Sequence, residues 1–315
     1  MPNFNGVWSL ATQFQYATEW PGIGKLAQPQ RGLFAGGGTT LATIDFITIS
    51  STGNAADFGD LTDGAHGVSG TASSTRGVFL GGQRAAGGVN SNVIDFVELD
   101  TLGNAADFGD LTAGYRYGAS CGNATRGLHA APNNVINFIT IASLGNGQDF
   151  GDLTLARANM AGCSSTTRGL FAMGYASSHS DVIDYVTINS AGDATDFGNL
   201  TVSRYEGSGC STNVRAVFCS GLQSNTRQNV MDYVTIASAG NASDFGDLLA
   251  ATYKTGGTSS STRGVIAGGN DNADENQIQY ITIASTGNSS DFGDLTAVRT
   301  NTPAGVCGGH GGIAA

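Results

Sequence analysis

Short apolar runs separated by small polar residues recur along this chain in a fixed order, and their period is that of strands. The segment Ile183-Asp184-Tyr185-Val186-Thr187-Ile188 is dense in β-branched and aromatic residues, with relatives beginning at Ile44, Ile94, Ile136, Met231 and Ile278. That composition over a short stretch reads as a strand. Each relative is preceded by a second apolar run led by an arginine, at Arg31, Arg76, Arg126, Arg168, Arg215 and Arg263. Before that run comes a stretch of small residues such as Asn159-Met160-Ala161-Gly162-Cys163, and after the aromatic strand comes a short run around Asp196 to Thr201. Between the last two sits a glycine in every copy (Gly53, Gly103, Gly145, Gly192, Gly240, Gly287), usually followed by Asn or Asp. This is turn chemistry. No apolar 3.6-residue period persists for ten residues beyond the first thirty, so helices are not expected there.

The last run carries the most legible marker. Asp-Phe-Gly-Asp-Leu begins at Asp57, Asp107, Asp149, Asp244 and Asp291, with an Asn variant at Asp196, at intervals of 50, 42, 47, 48 and 47 residues. Four strands repeated at this period, six times over, predict an all-β fold: a six-bladed β-propeller of four-stranded antiparallel blades. The third strand should be buried on both sides, because only Thr282 interrupts Tyr280, Ile281 and Ile283. Small residues suit the first strand, nearest the axis. The first arginine-led strand, at Arg31, has no small-residue strand before it, whereas Thr302 to Gly308 resembles one. The C-terminal strand is therefore expected to complete blade one and close the ring, leaving no open edge. Residues 31–315 form the propeller. Residues 1–30 lack every repeat marker.

Composition narrows the function. The 315 residues include 48 glycines but only 5 prolines, and 12% are charged. The net charge of −11, with lysine only at Lys25 and Lys254, disfavours a nucleic-acid partner. No apolar run is long enough to insert in a membrane. Met1 to Asn5 lacks the basic start and apolar stretch of a secretory signal, so synthesis in a cytoplasm is expected.

Motifs for catalysis weigh little. Asp-Phe-Gly in six copies, with two lysines in the chain, is not a kinase metal loop. The phenylalanine is expected to fill the space between blades, and the aspartates to accept hydrogen bonds from turn amides or to pair with the repeat arginines. Those arginines are expected to form a structural ladder. Cys121, Cys163 and Cys210 each precede a repeat arginine by five residues, so they are equivalent small packing positions rather than metal ligands. The histidines share no spacing, and no nucleophile elbow or phosphate loop occurs. No cofactor or metal is expected.

The repeat resembles the kelch family in its arginine-led strand ending in glycines (Gly264-Val265-Ile266-Ala267-Gly268-Gly269), its Ile-Asp-Tyr strand and a following basic residue such as Arg157, Arg204 or Arg299. It departs where that family carries tryptophan on the fourth strand, since phenylalanine stands there, and kelch functions are not carried over. Tandem Thr-Arg-Gly-Val-Phe, Ile-Asp-Tyr-Val-Thr-Ile and Asp-Phe-Gly-Asp-Leu-Thr segments look like virion proteins of tailed bacteriophages, as does the opening Gly6-Val7-Trp8-Ser9-Leu10 with Trp20-Pro21. That resemblance implies a tail, fibre or decoration protein located in the virion. Trp8, Phe14, Tyr16 and Trp20 then mark an attachment segment contacting other virion proteins, because clustered aromatics favour interfaces. The loops after strands two and four vary in length and hold Tyr115, Arg116, Tyr117, Tyr175, His179, Arg204, Tyr205, Arg227, Tyr253 and Lys254. Tyrosine and arginine form binding hot spots, so this face is the candidate surface for a host-surface glycan or receptor. A propeller enzyme acting on glycans and a bacterial adhesin or interaction hub are the competing readings.

Overall fold

A computed structural model describes residues 30–85, 88–301, 303–310 and 312, and these form six antiparallel sheets arranged as a six-bladed β-propeller without helices. The expected attachment residues Trp8, Phe14, Tyr16 and Trp20 lie outside the described residues. Blade 1 orders its strands as Ala304–Cys307, Arg31–Ala35, Leu41–Thr48 and Ala56–His66. Blade 4 is Ala161–Ser164, Arg168–Ala172, Ser180–Thr187 and Thr195–Arg204, and the other blades follow the same plan. The C-terminal strand pairs antiparallel with Arg31–Ala35, Leu33 facing Val306 and Ala35 facing Ala304. Ring closure by the C-terminus is therefore present.

The core lies between blades. Each of the six apolar clusters straddles one junction, including blades 6 and 1, where Phe34, Ile47 and Ile49 meet Val265, Ile278 and Phe292. The motif phenylalanines are buried in these clusters, edge-on to the aromatic residue of their own third strand, as in Phe138–Phe150 at 6.1 Å. Burying each such ring stabilises the fold by about 1.5–3 kcal/mol.

The repeated motifs are joints between blades. The N–H of Gly103 donates to Phe58 O at 2.9 Å, and that of Ala105 to Asp60 O at 2.7 Å. Asn104 Oδ1 accepts from the Asp60 N–H at 3.1 Å. The arrangement recurs at every junction and closes with Gly53 N–H on Phe292 O at 2.8 Å and Asp294 N–H on Asn54 Oδ1 at 3.1 Å. Glycine is required in the motif: at Gly293, with φ +145°, a Cβ would stand 2.6 Å from the carbonyl of Gly53. The first aspartate of each motif is exposed. The turn Asn or Asp is the acceptor, and the motif supplies the amide, which reverses the expected direction.

The repeat arginines are structural, but their partners differ from those expected. Each lies over the aromatic residue of its own third strand, as Arg215 over Tyr233 at 4.4 Å, and donates to a carbonyl of the next blade, as Arg215 Nη1 to Ile283 O at 2.9 Å. Among the described residues, only Arg76 of this set has a carboxylate within ion-pair distance, Glu98 at 2.9 Å. A guanidinium reading a carbonyl needs no acidic residue at a fixed position.

Carboxylate pairing belongs to a second arginine set. Arg157–Asp184, Arg204–Asp232 and Arg299–Asp45 are wholly buried pairs at 2.8, 2.6 and 3.1 Å, and Arg84–Asp95, at 2.7 Å, is nearly so. Arg204 also donates to Ser220 O, Phe218 O and Val202 O. Each aspartate accepts a threonine hydroxyl from the preceding blade's fourth strand, as Thr154 to Asp184 at 2.6 Å. The repeats themselves show the coupling. After the fourth strands of blades 2 and 5 the rim position holds Tyr115 and Thr252 in place of arginine, and the third strands of the following blades, 3 and 6, carry neutral Asn137 and Gln279. At the end of blade 1 the rim residue is Ala65, and blade 2 keeps its aspartate because Arg84 reaches Asp95 from the loop after blade 2's second strand.

Two outcomes follow for stability. Removing residues 301–315 strips blade 1 of its first strand, so the melting temperature measured by circular dichroism should fall sharply; an unchanged value would contradict closure. Arg204→Ala leaves Asp232 charged and buried, and should cost about 3–5 kcal/mol in chemical denaturation. Arg204→Tyr with Asp232→Asn, copying the junction of blades 2 and 3, should recover most of that loss. A double variant as unstable as the single one would show that the charges are not the coupled element.

Candidate functional site

Antiparallel order fixes which loops share a face. Turns between strands one and two, and between three and four, lie on what is here the upper face. Loops after strands two and four lie on the lower face. The chain enters the propeller at Gln30, before a second strand, and Gly308–His310 follow a first strand, so both lie on the upper face. His310 Nε2 donates to Ala72 O at 2.9 Å beside the axis.

The axis is packed. First strands approach so closely that a Cβ on Gly257 would meet the carbonyl of Gly209 at 2.5 Å. Ser164, Ser211 and Ser259 each donate to a carbonyl of the preceding blade at 2.8–2.9 Å. Two cavities of about 70 and 60 Å³ remain along the axis, lined chiefly by glycine, serine, alanine and threonine, with thiols and His310 in the upper one. The five cysteines are free and buried, and burial pushes the Cys307 thiol up to about 12. No group of three or more metal-ligating side chains occurs among the described residues. No described helix is long and apolar enough to cross a membrane.

The lower mouth of the axis is a ring of backbone. Gly67, Tyr117, Asn159, Glu206, Lys254 and Asn301 occupy equivalent positions after the fourth strands, each with φ between 59° and 62°. The N–H of Tyr117 donates to Gly67 O, Asn159 to Tyr117 O, Glu206 to Asn159 O and Lys254 to Glu206 O, at 2.6–3.0 Å, and Gly67 donates to Asn301 O at 3.0 Å. Left-handed backbone at a non-glycine residue costs on the order of 1 kcal/mol or more. Here the ring holds it in place while leaving the side chain free to vary.

Nine of the ten loop residues singled out in the sequence reach this face with side chains at least partly exposed. Tyr175, His179 and Tyr205 form one cluster: His179 stacks on Tyr205 at 5.3 Å and 14°, and Tyr175 lies 5.3 Å from Tyr205. Burial pushes the Tyr205 phenol up. Arg227 and Lys254 both lie against Tyr253, at 5.5 and 5.3 Å from its centroid. Arg116 lies over Tyr117 at 5.0 Å and donates to Gln83 Oε1. Tyr115 is half-buried, its ring 6.0 Å from His129. Arg204 is the exception. It is wholly buried, all three guanidinium nitrogens are engaged, and it presents nothing to a ligand.

Several residues of this face were not singled out from sequence. His66 packs 6.0 Å from Tyr117, and burial pulls its imidazole down. It occupies the position equivalent to Arg116, Tyr205 and Tyr253, so aligning the repeats on their first strands exposes it. Glu206 sits beside Lys254 in the ring, and burial pushes its carboxyl up against the opposing pull of that lysine. His129 stands where other blades carry Phe34, Phe79 or Phe171. It is bonded to Ser69 at 2.8 Å and kept neutral by burial, which pushes it down to about 4.

The basic residues can be accounted for in full. Of the fourteen, Lys25 lies outside the described residues, six are the repeat arginines and four hold the buried aspartates. Arg116, Arg227 and Lys254 remain. All three are on the lower face, each against a tyrosine, and no ion pair among the described residues engages them.

Among known proteins, no family model matches the chain and no curated protein matches it.

Proposed function

We propose that the protein is a non-enzymatic component of a tailed-phage virion, in its tail, a fibre or a decoration, and that its lower face recognises a host-surface glycan or receptor. The observation that carries the recognition reading is the segregation of the free cations. Among the described residues, ten basic side chains serve the scaffold, and the three others stand with exposed aromatic rings on one face. Arginine and tyrosine at a rigid, loop-built surface are the usual material of a binding hot spot. The axial cavities are lined chiefly by small side chains, with the cysteine thiols and His310 in the upper one, and no carboxylate lines either among the described residues. The virion assignment rests on the resemblance of the repeated motifs to phage virion proteins. The polarity of the fold suits it: Gln30, which joins residues 1–29 to the propeller, is on the face opposite the tyrosines. Attachment through the N-terminal segment then leaves the lower face outward.

The test uses particles carrying variant protein. Tyr175→Ala with Tyr205→Ala should reduce host adsorption about tenfold or more, the scale of losing one good contact, with normal incorporation into particles. Deleting residues 1–29 should leave a folded propeller that is absent from purified particles. Unchanged adsorption in the tyrosine variant would refute recognition by this face, and normal incorporation of the deletion would refute the attachment role.

A further inference from the structure

Arg227 and Lys254 are gathered on one phenol ring, Tyr253, in a protein of net charge −11, and neither forms an ion pair among the described residues. Glu206 feels the charge of Lys254 without pairing with it. Two like charges against one ring repel each other, and a bound anion offsets that repulsion. Arg227 is oriented: its Nε and Nη2 donate to the carbonyl and side-chain oxygen of Asn270, at 3.2 and 3.1 Å. Such a guanidinium loses little further freedom on meeting a carboxylate.

Arg227 also lines an open groove of about 460 Å³ between blades 5 and 6. One wall is the hairpin of Leu222–Gln223 and Thr226–Thr235, whose turn residues Ser224 and Asn225 have φ of 47° and 64°. The other is the loop carrying Asp271 and Asn272, held by the bond from Asn270 to Asp274 at 2.9 Å. Blade 3 has nothing like this hairpin, since its second and third strands are joined by a few residues near Pro132. The groove therefore offers Arg227 at one side, the polar groups of Asn225, Thr226, Asp271 and Asn272, and the small Ala250 and Ala251, with Lys254 outside this lining on the same tyrosine as Arg227, at the scale of one or two sugar rings.

We propose that this groove, with Lys254, is a subsite for a carboxylated sugar. Its carboxylate meets Arg227 and Lys254 by charge-assisted hydrogen bonds, and its ring hydroxyls donate to Asp271 and to the amide oxygens of Asn225 and Asn272. The acidic loop then selects for hydroxyl donors, while the cations select for the carboxylate. This inference rests on the recognition reading of the lower face.

The experiment is calorimetric titration of the full chain with oligomers of galacturonate, glucuronate and N-acetylneuraminate, each against a neutral oligosaccharide of equal length. At least one acidic oligomer should bind about tenfold or more tightly than its neutral counterpart, and the affinity should fall with added salt. Arg227→Ala with Lys254→Ala should abolish that binding, and Asp271→Ala should weaken it, with melting temperatures unchanged. Binding of neutral and acidic oligomers alike, no binding of any acidic oligomer, or binding that survives the double variant would each overturn the proposal. If adsorption is lost in the Tyr175 and Tyr205 variant but kept in the Arg227 and Lys254 variant, recognition by the face stands and the acidic-sugar subsite fails. Tight binding of a single-stranded DNA oligonucleotide by the cationic pair would overturn it in favour of a nucleic-acid partner.

Discussion

The structure depends on the joint between the outer strand of one blade and the glycine turn of the next. Two backbone hydrogen bonds and one side-chain acceptor make each joint, as Gly103 and Ala105 do on Phe58 and Asp60, with Asn104 alongside. The joint is sterically exclusive, because a side chain at the motif glycine would collide with the neighbouring turn. Net worth per hydrogen bond is only about 1 kcal/mol. Its force comes from repetition around a closed ring, where every joint supports two neighbours. The phenylalanine beside it fills the junction core, the repeat arginine spans the upper side, and the buried aspartate with its threonine spans the lower side. The joint, the phenylalanine and the arginine recur at all six junctions, and the threonine–aspartate contact at four, with Asn137 and Gln279 standing in at the other two.

This rigidity gives the lower face its character. The ring of left-handed residues at the axial mouth keeps its backbone whether the side chain is Gly67, Tyr117, Glu206 or Lys254. The loops after the second strands range from a few residues near Pro132 to the hairpin of blade 5. Variation is thus confined to side chains and loops that the scaffold does not need. The upper face carries the chain entry at Gln30, the arginine bridges and the C-terminal residues, and its turns are nearly identical from blade to blade. One face is uniform and the other is individual, an asymmetry suited to attachment on one side and recognition on the other.

Much of this was legible in the sequence. The motif spacing gave six blades, and the missing strand before Arg31, with Ala304–Cys307 to spare, gave the closure. The place of the motif phenylalanine followed from its repetition. What escaped was the partnering. Arg31, Arg76 and their equivalents look like acid partners, but they bind backbone carbonyls, which leave no trace in residue identity. Arg204 looks like a loop cation because its partner Asp232 is 28 residues away, on a strand that reads as simply buried. A signal was present: the third-strand aspartate becomes Asn137 or Gln279 in the two blades that follow a rim residue of Tyr115 or Thr252. Comparing repeats by charge balance, as well as by motif, exposes the pair. For the candidate surface, nine of the ten residues named from sequence lie on the lower face at least partly exposed. Sequence could not give the grouping of Arg227 and Lys254 on Tyr253, nor the groove that Arg227 lines, because these bring together segments well apart in sequence.

Hydrogen exchange followed by nuclear magnetic resonance tests the central claim most directly. Six glycine amides, at Gly53, Gly103, Gly145, Gly192, Gly240 and Gly287, occupy the same position in the six joints, and five of those joints lie between blades consecutive in sequence. Only Gly53, bonded to Phe292, depends on the ring having closed. The account predicts that its protection equals that of the other five to within about tenfold, since all six open with the same cooperative unit. A Gly53 amide that exchanges orders of magnitude faster, while the other five stay protected, would show an open ring and contradict the account.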